Sequence, residues 1–207
     1  MLDLATRNLY LCVGVRDDLA AFVSAVLRGG VDVVQLREKD LPDDARLDAA
    51  ATLRPVCADF GVPFIMNDSP ELALAAGADG VHVGQEDASV ARCRELLGPD
   101  AIVGLSTHSD VEFADALTEP VTYLSAGPIV ATPTKPGRSG TGVEYAERCQ
   151  RSSTRPIFVT GGVTADTVAP LVARGLRHFV VVRALTRAPD PEAAARAIRR
   201  ALDDALA

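Results

Sequence analysis

Residues 65–87 read IMNDSPELALAAGADGVHVGQED, and their pattern decides the fold. The segment opens on the end of an apolar strand, takes an acidic turn at Asn67-Asp68, where Asp68 carries the charge, and crosses a short helix. It then re-enters an apolar strand and turns again at Gln85-Glu86-Asp87. Strands joined by a helical crossover run parallel. If the two lie side by side, their carboxyl ends place Asp68 and Asp87 on one rim. Two carboxylates converging beside an Asn suit a hard cation, and the expectation is Mg2+ holding a phosphorylated ligand.

The same unit recurs in both directions from this segment. Asn8–Val15 is a β-rich run, and Asp18 is placed to cap an alanine-rich helix that stops at Arg28-Gly29-Gly30. Val31–Leu36 is a strand followed by a basic turn and a helix from Leu41 to Phe60, with Pro42 tolerated in its first turn. Phe64–Met66, Gly80–Val83 and Ile102–Leu105 are further short apolar strands. Val121–Ser125 precedes a long turn, GPIVATPTKPGRSGTG, and a helix over Val143–Arg151. Pro156–Thr160 and Phe179–Val182 are the last strands, with helices over Thr164–Arg174 and Pro191–Leu206. Short Val/Ile-rich strands separated each time by a helix predict a parallel sheet covered by helices. Eight such units in 207 residues predict an α/β fold, a single (β/α)8 TIM barrel spanning residues 1–207 as one domain. A doubly wound open sheet is the alternative, but its glycine-rich first turn is replaced here by Arg16-Asp17-Asp18.

A formal net charge of -7 and the lack of any Lys/Arg run argue against nucleic acid or an anionic membrane as partner. Small phosphorylated molecules would instead need a local cluster of cations. Cys12, Cys57, Cys93 and Cys149 fall in apolar or helical contexts with no metal-ligand spacing, which fits reduced packing residues. The first ten residues lack a signal-peptide pattern, and no apolar run approaches the ~18 residues of a membrane span. A cytoplasmic protein is expected. Apolar helical faces would serve either the barrel or a homo-oligomer.

In such a barrel the turns after the strands share one mouth. Strand two ends in Gln35-Leu36-Arg37-Glu38-Lys39, and a period of two turns Gln35, Arg37 and Lys39 the same way. Two cations and an amide suit a diphosphate, although a solvated charged turn is the bland alternative. After strand five, Ser106-Thr107-His108-Ser109 offers hydroxyls for a heteroaromatic ring or for capping the next helix, a role that suits Ser109 and leaves Ser106 for a ligand. After strand six, Thr132, Thr134 and Lys135 sit in a turn suited to phosphate, and the loop from 127 to 142 is the candidate lid. Gly161-Gly162 precedes a helix capped by Thr164, so its amides are placed for an anion. A tight turn needing positive φ explains the same pair. His82, His108 and His178 are read first as structural, with His178 on the opposite face of the barrel.

The motifs VVQLREKD, IMNDSPELALAAGADGVHVGQED, GLSTHS, AGPIVATPTKPG and VTGGV together resemble those of the thiamine phosphate synthase family, in the family's order and over nearly the whole chain. The resemblance implies a transferase of thiamine biosynthesis. It would join 4-amino-2-methyl-5-(diphosphomethyl)pyrimidine to 4-methyl-5-(2-phosphoethyl)thiazole with Mg2+, releasing diphosphate by a dissociative route. It assigns Gln35, Arg37, Lys39, Asn67, Ser106 and Lys135 to the pyrimidine diphosphate and Asp68 and Asp87 to the metal. Thr132, Thr134, Gly162, Val182 and Arg183 go to the thiazole phosphate, and Arg37, Lys39, Ser106 and Lys135 would carry the catalysis. Two departures stand out: Arg183 replaces the family's usual Ser, and Leu124-Ser125-Ala126 replaces a glycine-containing strand end. The rival readings are a thiazole tautomerase-like isomerase, whose histidine after strand six is Pro128 here, and a non-catalytic binder of thiamine precursors.

Overall fold

In the computed structural model, which describes residues 3–131 and 139–207, eight parallel strands pair in sequence order and close by β8 returning to β1. The strands are β1 (Leu9–Val13), β2 (Val33–Leu36), β3 (Phe64–Asn67), β4 (Gly80–Val83), β5 (Ile102–Thr107), β6 (Tyr123–Ala126), β7 (Ile157–Thr160) and β8 (His178–Val181). Helices α1 (Leu19–Arg28), α2 (Asp43–Asp59), α3 (Pro70–Ala76), α4 (Val90–Leu97), α5 (Asp110–Ala116), α6 (Val143–Ser152), α7 (Ala165–Ala173), α8 (Arg183–Thr186) and α9 (Pro191–Leu206) follow the strands. This is the (β/α)8 barrel that the alternation of strands and helices predicts.

Strand alternation divides the apolar residues into two cores. Outward residues such as Leu9, Leu11, Val34, Phe64, Val81, Val103, Leu124 and Val159 pack against the helices. Inward residues Tyr10, Val33, Ile65, Ile102, Tyr123, Phe158 and Val180 fill the barrel axis. Gly80 and Gly104 make room there: a Cβ on Gly104 would lie 2.2 Å from the Tyr123 ring. Further along each strand the inward position turns polar, with Gln35 beside Cys12, Asn67 beside His82 and Ser106 beside Ser125. The barrel is therefore plugged by apolar side chains at one end and floored by polar ones toward the carboxyl end.

Local signals fix the element ends. Ser69, Ser89, Ser109 and Thr164 each accept a backbone N–H with their hydroxyl oxygen at a helix start. Gly77 closes α3 in the left-handed conformation, with φ 61°. Asp18 does not act as the expected cap, because its carboxylate pairs with Arg16 instead. The short helix α8 makes Arg183 the first residue of a helix rather than part of an open turn.

The amino end of the barrel is tied by side chains. Asp32 accepts the backbone N–H groups of Asn8 and Leu9 and pairs with Arg199 of α9. Arg94 donates to the carbonyls of Pro120, Ala101 and Pro99. His178 is buried there as expected, its Nδ1 lying 2.7 Å from the Arg7 carbonyl oxygen. Cys57, Cys93 and Cys149 are buried on helices α2, α4 and α6, whereas Cys12 of β1 is only part-buried and lines the cavity at the carboxyl end. Among the described residues no helix is long and apolar enough to cross a membrane.

Candidate active site

The carboxyl ends of the strands enclose a cavity of about 470 Å³, within the usual ~300–1,000 Å³ of small-molecule sites. Its lining falls into three regions. One side carries Arg37, Lys39, Asn67, Asp68 and Asp87; the floor is Tyr10, Cys12, Gln35, His82, Ser106, Tyr123 and Ser125. The far side is Thr160, Gly161, Gly162, Thr164, Val182 and Arg183.

On the first side the expected convergence of the β3 and β4 turns is observed. Asp68 donates its N–H to the His82 carbonyl at 2.7 Å and sits at φ 65°, a left-handed backbone that Asp tolerates better than most residues. That turn aims its carboxylate at Lys39, whose Nζ lies 2.7 Å from Asp68 Oδ2. Asp87 Oδ2 accepts the Gly84 N–H at 2.7 Å, which fixes the second carboxylate. Burial raises the Asp68 pKa; Lys39 opposes the rise, and the neighbouring Asp87 carboxylate adds to it. Beside the pair, Asn67 Nδ2 is buried without a hydrogen-bond partner among the described residues, a donor left over for an incoming acceptor.

These groups fit Mg2+, which typically takes one or two carboxylates and completes its shell with water and substrate phosphate oxygens. No group of three His, Cys, Asp or Glu able to hold a metal occurs among the described residues. Water and substrate oxygens would complete the coordination around Asp68 and Asp87.

The floor is a connected polar layer. Gln35 Nε2 donates to Tyr10 Oη at 3.0 Å, and Cys12 Sγ donates to Gln35 Oε1 at 3.1 Å. Tyr10 and Tyr123 hydroxyls are 2.9 Å apart, Tyr123 Oη is 2.9 Å from His82 Nδ1, and His82 Nε2 is 2.8 Å from Ser106 Oγ. Ser106 Oγ is 3.2 Å from Ser125 Oγ. The His82 ring stacks on Tyr123 with centroids 5.4 Å apart, and both tyrosines pack edge-on to Phe158. Ser106 thus faces the cavity as expected, but its hydroxyl is already engaged by His82 and Ser125.

On the far side, Gly161 and Gly162 have φ of 95° and 73°. A Cβ on Gly161 would meet Pro128 at 2.8 Å, and one on Gly162 would meet Val130 at the same distance. Tight packing alone therefore demands glycine, and the anion reading rests on their place in the lining. Arg183 joins them, with no ion pair among the described residues. Thr132, Thr134 and Lys135 lie outside the described residues, as does the tip of the 127–142 loop. The loop's later end is tied back where Thr141 N–H donates to Pro128 O at 2.8 Å.

Gln35, Arg37, Lys39, Asn67, Asp68, Asp87, Ser106, Gly162, Val182 and Arg183 all line this one cavity. Sequence reasoning missed Tyr10 and Tyr123, took Cys12 for a packing residue, named Ser125 only as a departure from the family's pattern and undervalued His82, because each sits inside a strand where the pattern announces core. It also read His108 as structural and did not pair it with Glu112, whose Oε2 lies 2.9 Å from His108 Nδ1 at the rim. The i, i+4 spacing of that pair was the available signal.

Comparison with known proteins identifies the family. The family model for thiamine monophosphate synthase matches residues 9–185. The chain belongs to the thiamine monophosphate synthase family. A thiamine-phosphate synthase of Gloeobacter violaceus is 45% identical over 91% of this chain but 55% of its own length, so the chain spans about half of that curated relative. One from Saccharopolyspora erythraea is 43% identical over 94% of this chain and 92% of its own length. Among solved structures, a thiamine phosphate pyrophosphorylase from Pyrococcus furiosus superposes with a TM-score of 0.87 at 27% identity, covering 97% of each chain. Ser125 and Arg183, read from the sequence as departures from the family's pattern, both line the cavity.

Proposed function

We propose that this chain is a thiamine phosphate synthase. It condenses 4-amino-2-methyl-5-(diphosphomethyl)pyrimidine with 4-methyl-5-(2-phosphoethyl)thiazole, forming thiamine phosphate and diphosphate. The observation that carries this reading is the meeting of Asp68, Asp87, Lys39 and Arg37 on one side of a cavity whose far side holds Gly162 and Arg183. Two anionic groups are thereby received at opposite sides of a single polar floor.

The chemical difficulty is breaking a C–O bond to a diphosphate, with negative charge growing on the leaving group. Bound between Asp68 and Asp87, Mg2+ would supply Lewis-acid stabilisation of that charge. Lys39 and Arg37 hold the same oxygens, Arg37 with a fork able to grip two at once. Asn67 Nδ2 offers a further donor, and sequence places Lys135 in the same role. Gln35 and Ser106 orient the aminopyrimidine, whose ring electrons support the methylene carbon as the bond to diphosphate lengthens. The thiazole, held by its phosphate near Thr132, Thr134, Gly162 and the Val182-Arg183 segment, then attacks through a nitrogen that carries a lone pair and no proton. No general base is needed. The residues contribute alignment, leaving-group stabilisation and exclusion of water.

The test is to mix the protein with both substrates and Mg2+ and follow thiamine phosphate and diphosphate by mass spectrometry. Equal amounts of the two products are expected. Binding of both substrates without product would favour the precursor-binding reading. Rearrangement of a thiazole phosphate without any pyrimidine would favour the tautomerase-like isomerase.

A further inference from the structure

Hydroxyls and amides in a buried layer cannot choose their partners independently, because each carries a fixed number of protons. Tyr10 is 1% exposed and Tyr123 is 0% exposed. Burial, the largest influence on each, raises both phenol pKa values, so each holds one hydroxyl proton at neutral pH. Those protons must be given to neighbours, and among the described residues the neighbours are few.

The order starts at Gln35. Its Oε1 accepts from Cys12 Sγ, so its Nε2 faces Tyr10 and donates there. Tyr10 then passes its own proton to its other polar neighbour, Tyr123 Oη, at 2.9 Å. With its oxygen receiving that bond, Tyr123 gives its proton to His82 Nδ1, also at 2.9 Å. A neutral imidazole that accepts at Nδ1 carries its proton on Nε2, and Ser106 Oγ receives it at 2.8 Å. Ser106 keeps its own proton to give away, either to Ser125 Oγ at 3.2 Å or to a ligand in the cavity.

We propose that a one-way chain of hydrogen bonds from Gln35 through Tyr10, Tyr123 and His82 to Ser106 fixes His82 as its neutral Nε2–H tautomer and presents Ser106 to the cavity as a donor. Tyr10 and Tyr123 are then positioning residues that act through His82. A floor with this polarity selects a heteroaromatic ring that turns an acceptor nitrogen toward Ser106 and disfavours one that turns an N–H there. Identifying that ring as the aminopyrimidine rests on the proposed function; the direction of the chain does not. A chain running the opposite way would leave His82 protonated at Nδ1, so the two directions predict opposite tautomers.

The experiment is two-bond 1H–15N correlation NMR of the ligand-free protein labelled at histidine, at neutral pH, with His82 assigned from a His82→Gln sample. The expected spectrum shows His82 protonated at Nε2 and bare at Nδ1. Protonation at Nδ1, or an averaged mixture of tautomers, overturns the proposal. Tyr123→Phe keeps the ring and removes one link, so His82 moves to an averaged pattern. The dissociation constant for the pyrimidine diphosphate rises roughly tenfold, on the scale of one lost hydrogen bond, while that for the thiazole phosphate does not change. An unaltered His82 pattern in folded Tyr123→Phe also overturns the proposal. Should that variant fail to fold, the wild-type spectrum decides alone. A protein with the Nε2–H tautomer that makes no thiamine phosphate would retain the chain and lose the functional reading.

Discussion

Asp68 combines three properties that make it the most informative side chain at the mouth. Its backbone lies in the left-handed region at φ 65°, its carboxylate meets Lys39 at 2.7 Å, and burial raises its pKa. Asn accepts the same backbone as readily as Asp, so Asp68→Asn removes a charge without straining the turn. The expected outcome is an unchanged circular dichroism spectrum with turnover lowered at least roughly tenfold and a higher Mg2+ requirement, since even outer-shell losses at metal sites typically cost about 10–100-fold. Wild-type turnover in that variant would remove Asp68 from the metal assignment. Lys39→Met keeps most of the stem and removes the cation. A fall in kcat of about 100-fold or more is expected, comparable to losing one preorganised donor to a developing charge. Steady-state kinetics would check it, and a change confined to KM would show that Lys39 only binds.

At the scale of elements, the site depends on what each strand places inward at its carboxyl end. Gly104 of β5 illustrates this, because a Cβ there would lie 2.2 Å from the Tyr123 ring and 2.5 Å from His82 Nδ1. Gly104→Ala is therefore expected to destabilise the fold by about 1–3 kcal/mol through overpacking and to lower activity further by displacing the His82 link. Urea unfolding and kinetics of the surviving folded protein measure the two effects separately. Most elements were legible in sequence, with β4 at Gly80–Val83 and α9 at Pro191–Leu206 having the bounds that pattern and caps predicted. Helix α8 was not, because a single turn after an apolar strand has no room for a periodic signature. The rim was legible for a similar reason: charged residues such as Arg37, Lys39, Asp68 and Asp87 interrupt apolar runs. The floor was legible only at Gln35 and Ser106, since Tyr10 and Tyr123 look like core in their own strands. They become a polar layer only when closure brings β1 and β6 across the axis from each other.

Considered whole, the barrel separates stability from chemistry along its axis. The amino end is pinned by Asp32, Arg199, Arg94 and buried His178, none of which lines the cavity. Burial lowers the His178 pKa from its ordinary 6.5. Between the lowered value and 6.5 the unfolded chain binds the extra proton, so stability is fully present above 6.5 and falls as pH drops toward the folded value. Urea midpoints measured across that range should decline with acidification, and His178→Asn should flatten part of the decline. An identical pH slope in the variant would show that other groups govern it. Because His178 sits at the end away from the rim, the same substitution should leave the affinity for both phosphorylated substrates close to wild type.

The most direct test of the proposed chemistry is a Mg2+ titration of thiamine phosphate formation, with both substrates present and an EDTA control. Saturable activation by Mg2+ and loss of product in EDTA are predicted. Full product formation in EDTA would contradict the assignment of Asp68 and Asp87, and no product at any Mg2+ concentration would contradict the synthase reading itself.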